Sequence, residues 1–341
     1  MRNEFQKDLD NFMSNVPKRW LITGGGGFLG RHLISALSDR GCSIRSYSLD
    51  PPQNVVDLAE RGVDIRHGDI LDQPALLKAL DGVDVVVHMA GEKRNPERFN
   101  LINQEGTRRV LTACQEAGIP HVIHISSAGV IGIPSGNFVS EETECRPQND
   151  YEISKFEAEK TALEFHRRQG LPVTVLRPAN VFGDLDPERH LLAMMRQVQK
   201  GRFRLIGRKE AWLNYVYAGD VADACLLTSQ DPETASQVYS LSDPCPMTEF
   251  IVEVSKSLGV DPRLRRIPLF LAIGIAIGFK AASTVLRRPA PLSLEKIKSF
   301  RSPTIYRPDK LKKAFPSWPR FGWREGLKRT IAWYRAQGWL S

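Results

Sequence analysis

Apolar and polar positions along the chain alternate in blocks. "RWLIT" (19–23) is a short apolar run, and four glycines follow it. Leu29, Leu33, Ala36 and Leu37 then recur at helical spacing until Gly41 offers a stop. The pattern predicts a buried strand, a glycine turn and a helix. "SIRSYSL" and "VDIRHGD" read as second and third strands. "VDVVVHMAG" is a continuous apolar run, as expected of a strand covered on both faces. "HVIHISS" and "LPVTVLRP" supply two more strands, with amphipathic helices between them. Strands alternating with helices predict an α/β fold, a Rossmann-type doubly wound parallel sheet.

With 341 residues the chain can bury one large core or two modest ones, and 42% hydrophobic with 25% charged residues is ordinary for a globular protein. Residues 1–18 are polar, lack the apolar core of a signal peptide and read as a tail. The run Ile267–Leu286 is strongly apolar, but Pro268, two glycines and Lys280 interrupt it before it reaches spanning length. It is expected to be a buried or pocket-lining helix. The alternative is peripheral membrane contact through 263–288, helped by Arg263, Arg265, Arg266, Arg287 and Arg288.

Five scattered cysteines, odd in number, suggest reduced thiols and a cytoplasmic protein, and no metal site is expected. Charge is uneven. From Asp261 onward there are 18 Lys and Arg against 4 Asp and Glu, a net of +14, whereas the whole chain is +8. That asymmetry points to an anionic substrate or surface, or to a merely solvated basic face. No nucleic-acid motif accompanies it, so no nucleic-acid partner is expected.

Chemistry enters with the glycines. Gly24, Gly27 and Gly30 keep GxxGxxG spacing at a strand-to-helix turn. A side chain there would block backbone N–H groups from a diphosphate, and the helix N-terminus adds partial positive charge. Tyr151 and Lys155 form YxxxK, one turn apart on one helix face. An ammonium there favours the phenolate, lowering the Tyr151 pKa and making it a general base for a hydroxyl or an acid for a carbonyl.

The ordered series "TGGGGFLG", "HGDILD", "VVHMAG", "NQEGT", "SSAGVIG", "YEISK", "LRPANVFG" and "NYVYAGDVADA" resembles the extended short-chain dehydrogenases/reductases. These include NAD-dependent epimerases and dehydratases and 3β-hydroxysteroid dehydrogenases. The resemblance runs from about Trp20 to the C-terminus. It implies a catalytic set of Ser127, Tyr151 and Lys155, with Ser126 structural. It places the cofactor against Gly24, Gly27, Phe28, Leu29, Gly30, Asp50, Asp69, Ile70, Ala90, Gly91, Lys155 and Pro178. Ser127, Tyr151 and Asn180 would face the substrate, Asn103 would support the active-site helix, and Arg177 would be structural. The implied organisation is a cofactor domain of 19–183 plus about 212–242, and a smaller, mostly helical substrate lobe of 184–211 plus 243–341. A homodimer through two helices per subunit is common among such proteins.

The sequence departs from the family pattern at three places. Strand two ends in Ser48 where an acid usually binds the adenosine ribose, and Asp50 stands two residues on, about 20 residues past Gly30 as an NAD-type acid should. NAD is therefore expected over NADP, with Arg45 the residue that could reverse the preference. Leu213 stands where many nucleotide-sugar members carry a diphosphate arginine, leaving Arg202, Arg204, Arg208 or Arg307 to substitute. Ala128 and Gly129 replace the acidic pair of the dehydratases, so β-elimination is not expected. The leading expectation is an epimerase or oxidoreductase working on a secondary hydroxyl of a nucleotide-sugar. The alternative is a dehydrogenase or reductase on a sterol-like or isoprenoid alcohol, or a lipid-diphosphate-linked sugar that joins both clues. A non-catalytic cofactor sensor is a third reading, which the Ser127–Tyr151–Lys155 set opposes.

Overall fold

The computed structural model describes residues 19–134, 136–286 and 294–341. The expected tail, and Arg287 and Arg288, lie outside the described residues. The chain opens with β1 (Arg19–Thr23), α1 (Phe28–Ser38), β2 (Ser43–Ser48), α2 (Val56–Glu60), β3 (Asp64–His67), α3 (Gln73–Ala79) and β4 (Val85–His88). It continues through α4 (Thr107–Glu116), β5 (His121–Ile125), β6 (Phe138–Val139), α5 (Asp150–Gln169), β7 (Val173–Pro178) and β8 (Asn180–Phe182). Then come α6 (Leu192–Gln199), β9 (Leu205–Ile206), β10 (Trp212–Tyr217), α7 (Ala218–Ser229), β11 (Val238–Leu241), β12 (Asp243–Pro246) and α8 (Met247–Leu258). The last elements are β13 (Arg266–Ile267), α9 (Leu269–Leu286), α10 (Leu294–Ser299), β14 (Ile305–Tyr306), α11 (Asp309–Ala314) and α12 (Gly322–Ala336).

Seven strands form one parallel sheet in the order β11-β7-β5-β4-β1-β2-β3. The fold is the expected Rossmann type. All six predicted strands are present. The seventh, β11, is only Val238–Leu241 and was missed as a strand because so short a run carries little periodicity. The order reverses between β1 and β4, which opens a crevice at their carboxyl ends, where Thr23 pairs with His88.

Side-chain alternation divides the core. Trp20 and Ile22 face Leu33, Leu37, Val87 and Leu226, whereas Leu21 faces Val86, Leu111 and Val122. A separate core joins Leu213, Phe250, Val254, Trp323 and Leu327 beside the short sheet β12-β10-β8.

The helix from Leu269 corrects the sequence expectation. Ala272 and Ala276 are buried against Ile206 and Ile297, but Phe270 is 76% and Ile277 57% exposed. It is docked on one side and open on the other, because its short inner residues fit the protein while its large apolar ones point outward.

Candidate active site

The glycine turn sits at the crevice. Gly24 has φ +72°, and a Cβ on it would meet the Ala90 backbone at 3.1 Å. Ala90, exposed Gly91 and the glycines thus share one rim. A Cβ on Gly30 would meet Gly25 O, Gly25 Cα and Gly24 O at 2.5, 2.6 and 2.7 Å, so the turn's own closure demands that glycine. Gly27 N donates to Gly24 O at 3.0 Å and leads into Phe28 and Leu29, both half-buried. No side chain caps α1, and its first turn holds no acid, so its orphan N–H groups suit an anion.

The surroundings fit a dinucleotide with an unphosphorylated ribose. The Asp50 carboxylate lies over Gly26, where a Cβ would collide with it. Arg45 is turned away: its Nε donates to Asp64 at 2.7 Å and its Nη1 to Ala79 O at 2.5 Å. Arg31, which the sequence reading missed, reaches the turn instead. Its Nε donates to Gly26 O at 3.0 Å, its Nη1 pairs with Asp57 at 2.6 Å, and its Nη2 donates to Asn54 O. Its place directly after Gly30 was the available signal. Asp69 Oδ1 accepts from Leu71 N at 3.0 Å, while Asp72 caps α3, so Asp69 is not the residue that caps this helix. Ile70 is buried nearby.

At the other end of the crevice, α5 begins where Asn149 accepts from Glu152 N and Glu152 accepts from Gln148 N. This places Tyr151 in the first turn, its ring 5.7 Å from Phe99. Lys155, one turn on, is buried and donates from Nζ to Ile125 O at 2.7 Å. That bond ties α5 to the end of β5, two residues before Ser127. Ser127 Oγ accepts from Gly129 N at 3.1 Å, which leaves its own proton for another partner. The three candidate residues therefore come to one end of the sheet.

Their electrostatics differ from expectation. Burial first, then Glu152, raises the Tyr151 phenol above its ordinary value, and the Lys155 ammonium is not among the charges that move it. Burial instead lowers Lys155 to about 8, against a smaller upward pull from Glu159. The cost of desolvation outweighs the attraction expected from spacing alone.

The supporting residues are well tied. Asn103 donates from Nδ2 to Ser154 Oγ and Glu92 O, each at 2.9 Å, and accepts from Glu92 N at 2.7 Å. Ser126 Oγ donates to Glu159 at 2.7 Å, and Arg177 pairs with the same carboxylate at 2.5 and 3.0 Å, all three buried. Behind Lys155, His88 Nδ1 lies 2.7 Å from Thr23 Oγ1 and its Nε2 2.9 Å from Thr107 Oγ1. Burial brings His88 down to about 3, so it is neutral at pH 7.

Asn180 is exposed, two residues past buried β7 and its terminal Pro178. Leu213 is 7% exposed and belongs to the second core, opposite Cys245 in the β10–β12 pairing. The arginines named as substitutes are placed elsewhere or otherwise engaged. Arg204 donates to Gly201 O and Phe203 O, Arg307 pairs with Asp309 at 2.6 Å, and Arg202 and Arg208 are exposed.

A parallel sheet that reverses at a glycine turn, with a Ser–Tyr–Lys set at the same edge, defines a dinucleotide-dependent oxidoreductase of the Rossmann class. Comparison with known proteins narrows the class. Residues 20–242 match the model of the NAD dependent epimerase/dehydratase family. The chain is 30% identical to the sterol-4-alpha-carboxylate 3-dehydrogenase ERG26, decarboxylating, of Saccharomyces cerevisiae, covering 92% of this chain and 97% of that one. It is 25% identical to the N-acetyl-alpha-D-glucosaminyl-diphospho-ditrans,octacis-undecaprenol 4-epimerase of Escherichia coli O157:H7, covering 91% and 93%. The crystal structure of gox2253 superposes with a TM-score of 0.75 at 25% identity, covering 95% of this chain and all of that one. The chain belongs to the NAD-dependent epimerase/dehydratase family, within the extended short-chain dehydrogenases/reductases, and is an NAD-dependent enzyme.

Proposed function

We propose that the protein oxidises, or in reverse restores, a secondary hydroxyl on an apolar, sterol- or isoprenoid-like scaffold. The observation that carries the substrate class is Leu213, buried in the core where a diphosphate-binding arginine would have to project. A cation buried there without a partner would cost several kcal/mol. In this reading Gly24, Gly27 and Gly30 with Phe28 and Leu29 hold the diphosphate of NAD, and Asp50 holds the adenosine ribose. Asp69 and Ile70 flank the adenine, and Ala90, Gly91, Lys155 and Pro178 receive the nicotinamide half. Bound NAD supplies the hydride acceptor.

The remaining work falls to the chain. Tyr151 takes the hydroxyl proton as its carbon is oxidised, or gives a proton to the carbonyl oxygen in reverse. Ser127 donates its free proton to the same oxygen. Lys155, anchored on Ile125 O, orients the ribose side of the site. With its phenol pushed up by burial, Tyr151 rests protonated, the form that donates.

A second reading, a nucleotide-sugar or lipid-diphosphate sugar as substrate, draws support from exposed Asn180. Absorbance of NADH for net oxidation, together with NMR of the products for epimerisation that leaves no net NADH, separates the two when the protein is mixed with NAD and either 3β-hydroxysterols and polyprenols or UDP-, dTDP- and GDP-sugars. Turnover of the apolar alcohols, lost in Tyr151→Phe, is expected. Turnover of nucleotide-sugars alone would overturn the proposal in favour of the second reading.

A further inference from the structure

We infer that the open side of α9 is a docking surface for an anionic lipid bilayer, on which the protein sits without crossing it. The helix has no polar face over its first eleven residues, 269–279. A surface helix normally alternates an apolar stripe with a polar one, and a helix apolar all round is normally covered. Here the cover is one-sided. Ala272 and Ala276 lie against Ile206 and Ile297, with Ile273 and Leu269 beside them. On the other side Phe270 is 76%, Leu271 46%, Ile277 57% and Phe279 38% exposed.

Length and charge select the occupant. The uncharged apolar stretch 269–279 spans about 16 Å before Lys280, roughly half the hydrocarbon thickness of a bilayer, and among the described residues no helix is long and apolar enough to cross a membrane, so the segment suits one leaflet's interface. One flank is already held by protein, which fixes the helix along the surface rather than through it. A basic collar stands at the same end. Arg263 and Arg265 are exposed and form no ion pair among the described residues. The parallel pairing of β9 with β13 brings exposed Arg208 and Lys209 beside Arg266, which donates to their carbonyl oxygens at 3.4 and 3.5 Å. Lys298 is exposed on α10. An apolar wedge rimmed by cations matches an acyl boundary under anionic headgroups. A second copy of the chain fits less well, because two-fold pairing through this face would bring two such collars together.

The inference concerns binding alone and does not depend on the proposed substrate. Its test is flotation of the full chain with vesicles of phosphatidylcholine, with or without about 30% phosphatidylserine, at low and high salt. Binding to the anionic vesicles is expected, weakened at least about tenfold by high salt. Phe270→Ser with Ile277→Ser should cut it at least about tenfold, since exposed side chains are replaced and the inner face is kept. Arg263→Glu with Arg265→Glu should remove the preference for anionic lipid. Thermal stabilisation by NAD, unchanged in both variants, shows that they are folded. No flotation of NAD-responsive wild type overturns the inference, as does flotation indifferent to both double variants. A wild-type dimer that Phe270→Ser with Ile277→Ser turns into monomer, with no vesicle binding, would assign the face to a second copy instead.

Discussion

Tyr151 and Lys155 lie one turn apart, yet burial governs each more than either governs the other. The consequence is readable in pH. A phenol held above its ordinary value stays protonated, so carbonyl reduction should persist into alkaline buffer while alcohol oxidation gains rate as pH rises. Opposed pH profiles in the two directions would check this. Tyr151→Phe should lower turnover about 10²–10⁴-fold and leave NAD binding intact, as measured by kinetics and by NAD titration. Stability carries the mark of Lys155. Burial brings it down to about 8 from the ordinary 10.5, so between these the unfolded chain binds more protons and stability rises with pH. Lys155→Met should lose that rise in denaturant titrations run from pH 8 to 10.5. In the proposed reading, cofactor choice rests on single residues. Asp50 covers Gly26, and Asp57 with Asn54 O occupies Arg31. Asp50→Ala combined with Asp57→Ala frees a guanidinium at the ribose end, and the ratio of NADP to NAD affinity should rise about tenfold or more. An unchanged ratio would remove Arg31 from the account.

At the scale of elements, sequence and structure meet where periodicity is strong. The glycine turn, six strands and YxxxK helix are legible because each carries its own local signal: GxxGxxG spacing behind an apolar run, strand-length apolar runs between turns, and Tyr151 four residues before Lys155. What was not legible depends on neighbours. β11 is four residues long and is a strand because β7 offers an edge. The lowering of Tyr151 was wrongly expected because spacing shows charge but not desolvation. The α9 helix was expected to be covered because composition cannot say which side the protein covers. Asp220, at the start of α7, is another case that only packing reveals. It is buried, accepts from Phe321 N at 2.8 Å and Gly322 N at 3.0 Å, and burial lifts it to about 7. From its ordinary 3.8 up to about 7 the folded chain holds the extra proton, so stability falls as pH rises through that window. Asp220→Asn should flatten this fall in urea titrations at pH 4 to 7. Gly30→Ala belongs at this scale too. The added methyl strikes backbone rather than ligand, so a loss of about 1–3 kcal/mol in stability is expected even without cofactor.

Across the whole molecule, the C-terminal segment is not an appendage to the residues that match the family. Leu311 and Trp318 pack in the same core as Trp20, Ile22 and Leu33 of the first strand and helix. The Trp318 indole donates to Asp220 O at 2.9 Å, and Trp323 N donates to Asp243 at 2.7 Å. During synthesis, then, the nucleotide-binding half waits on almost the entire chain. The first strand leaves the ribosome some three hundred residues before the tryptophan that completes its core, and a nascent chain ending at residue 242 would carry an open apolar seat. A fragment ending there should bind a hydrophobic dye that the full chain excludes, because its first core lacks Leu311 and Trp318.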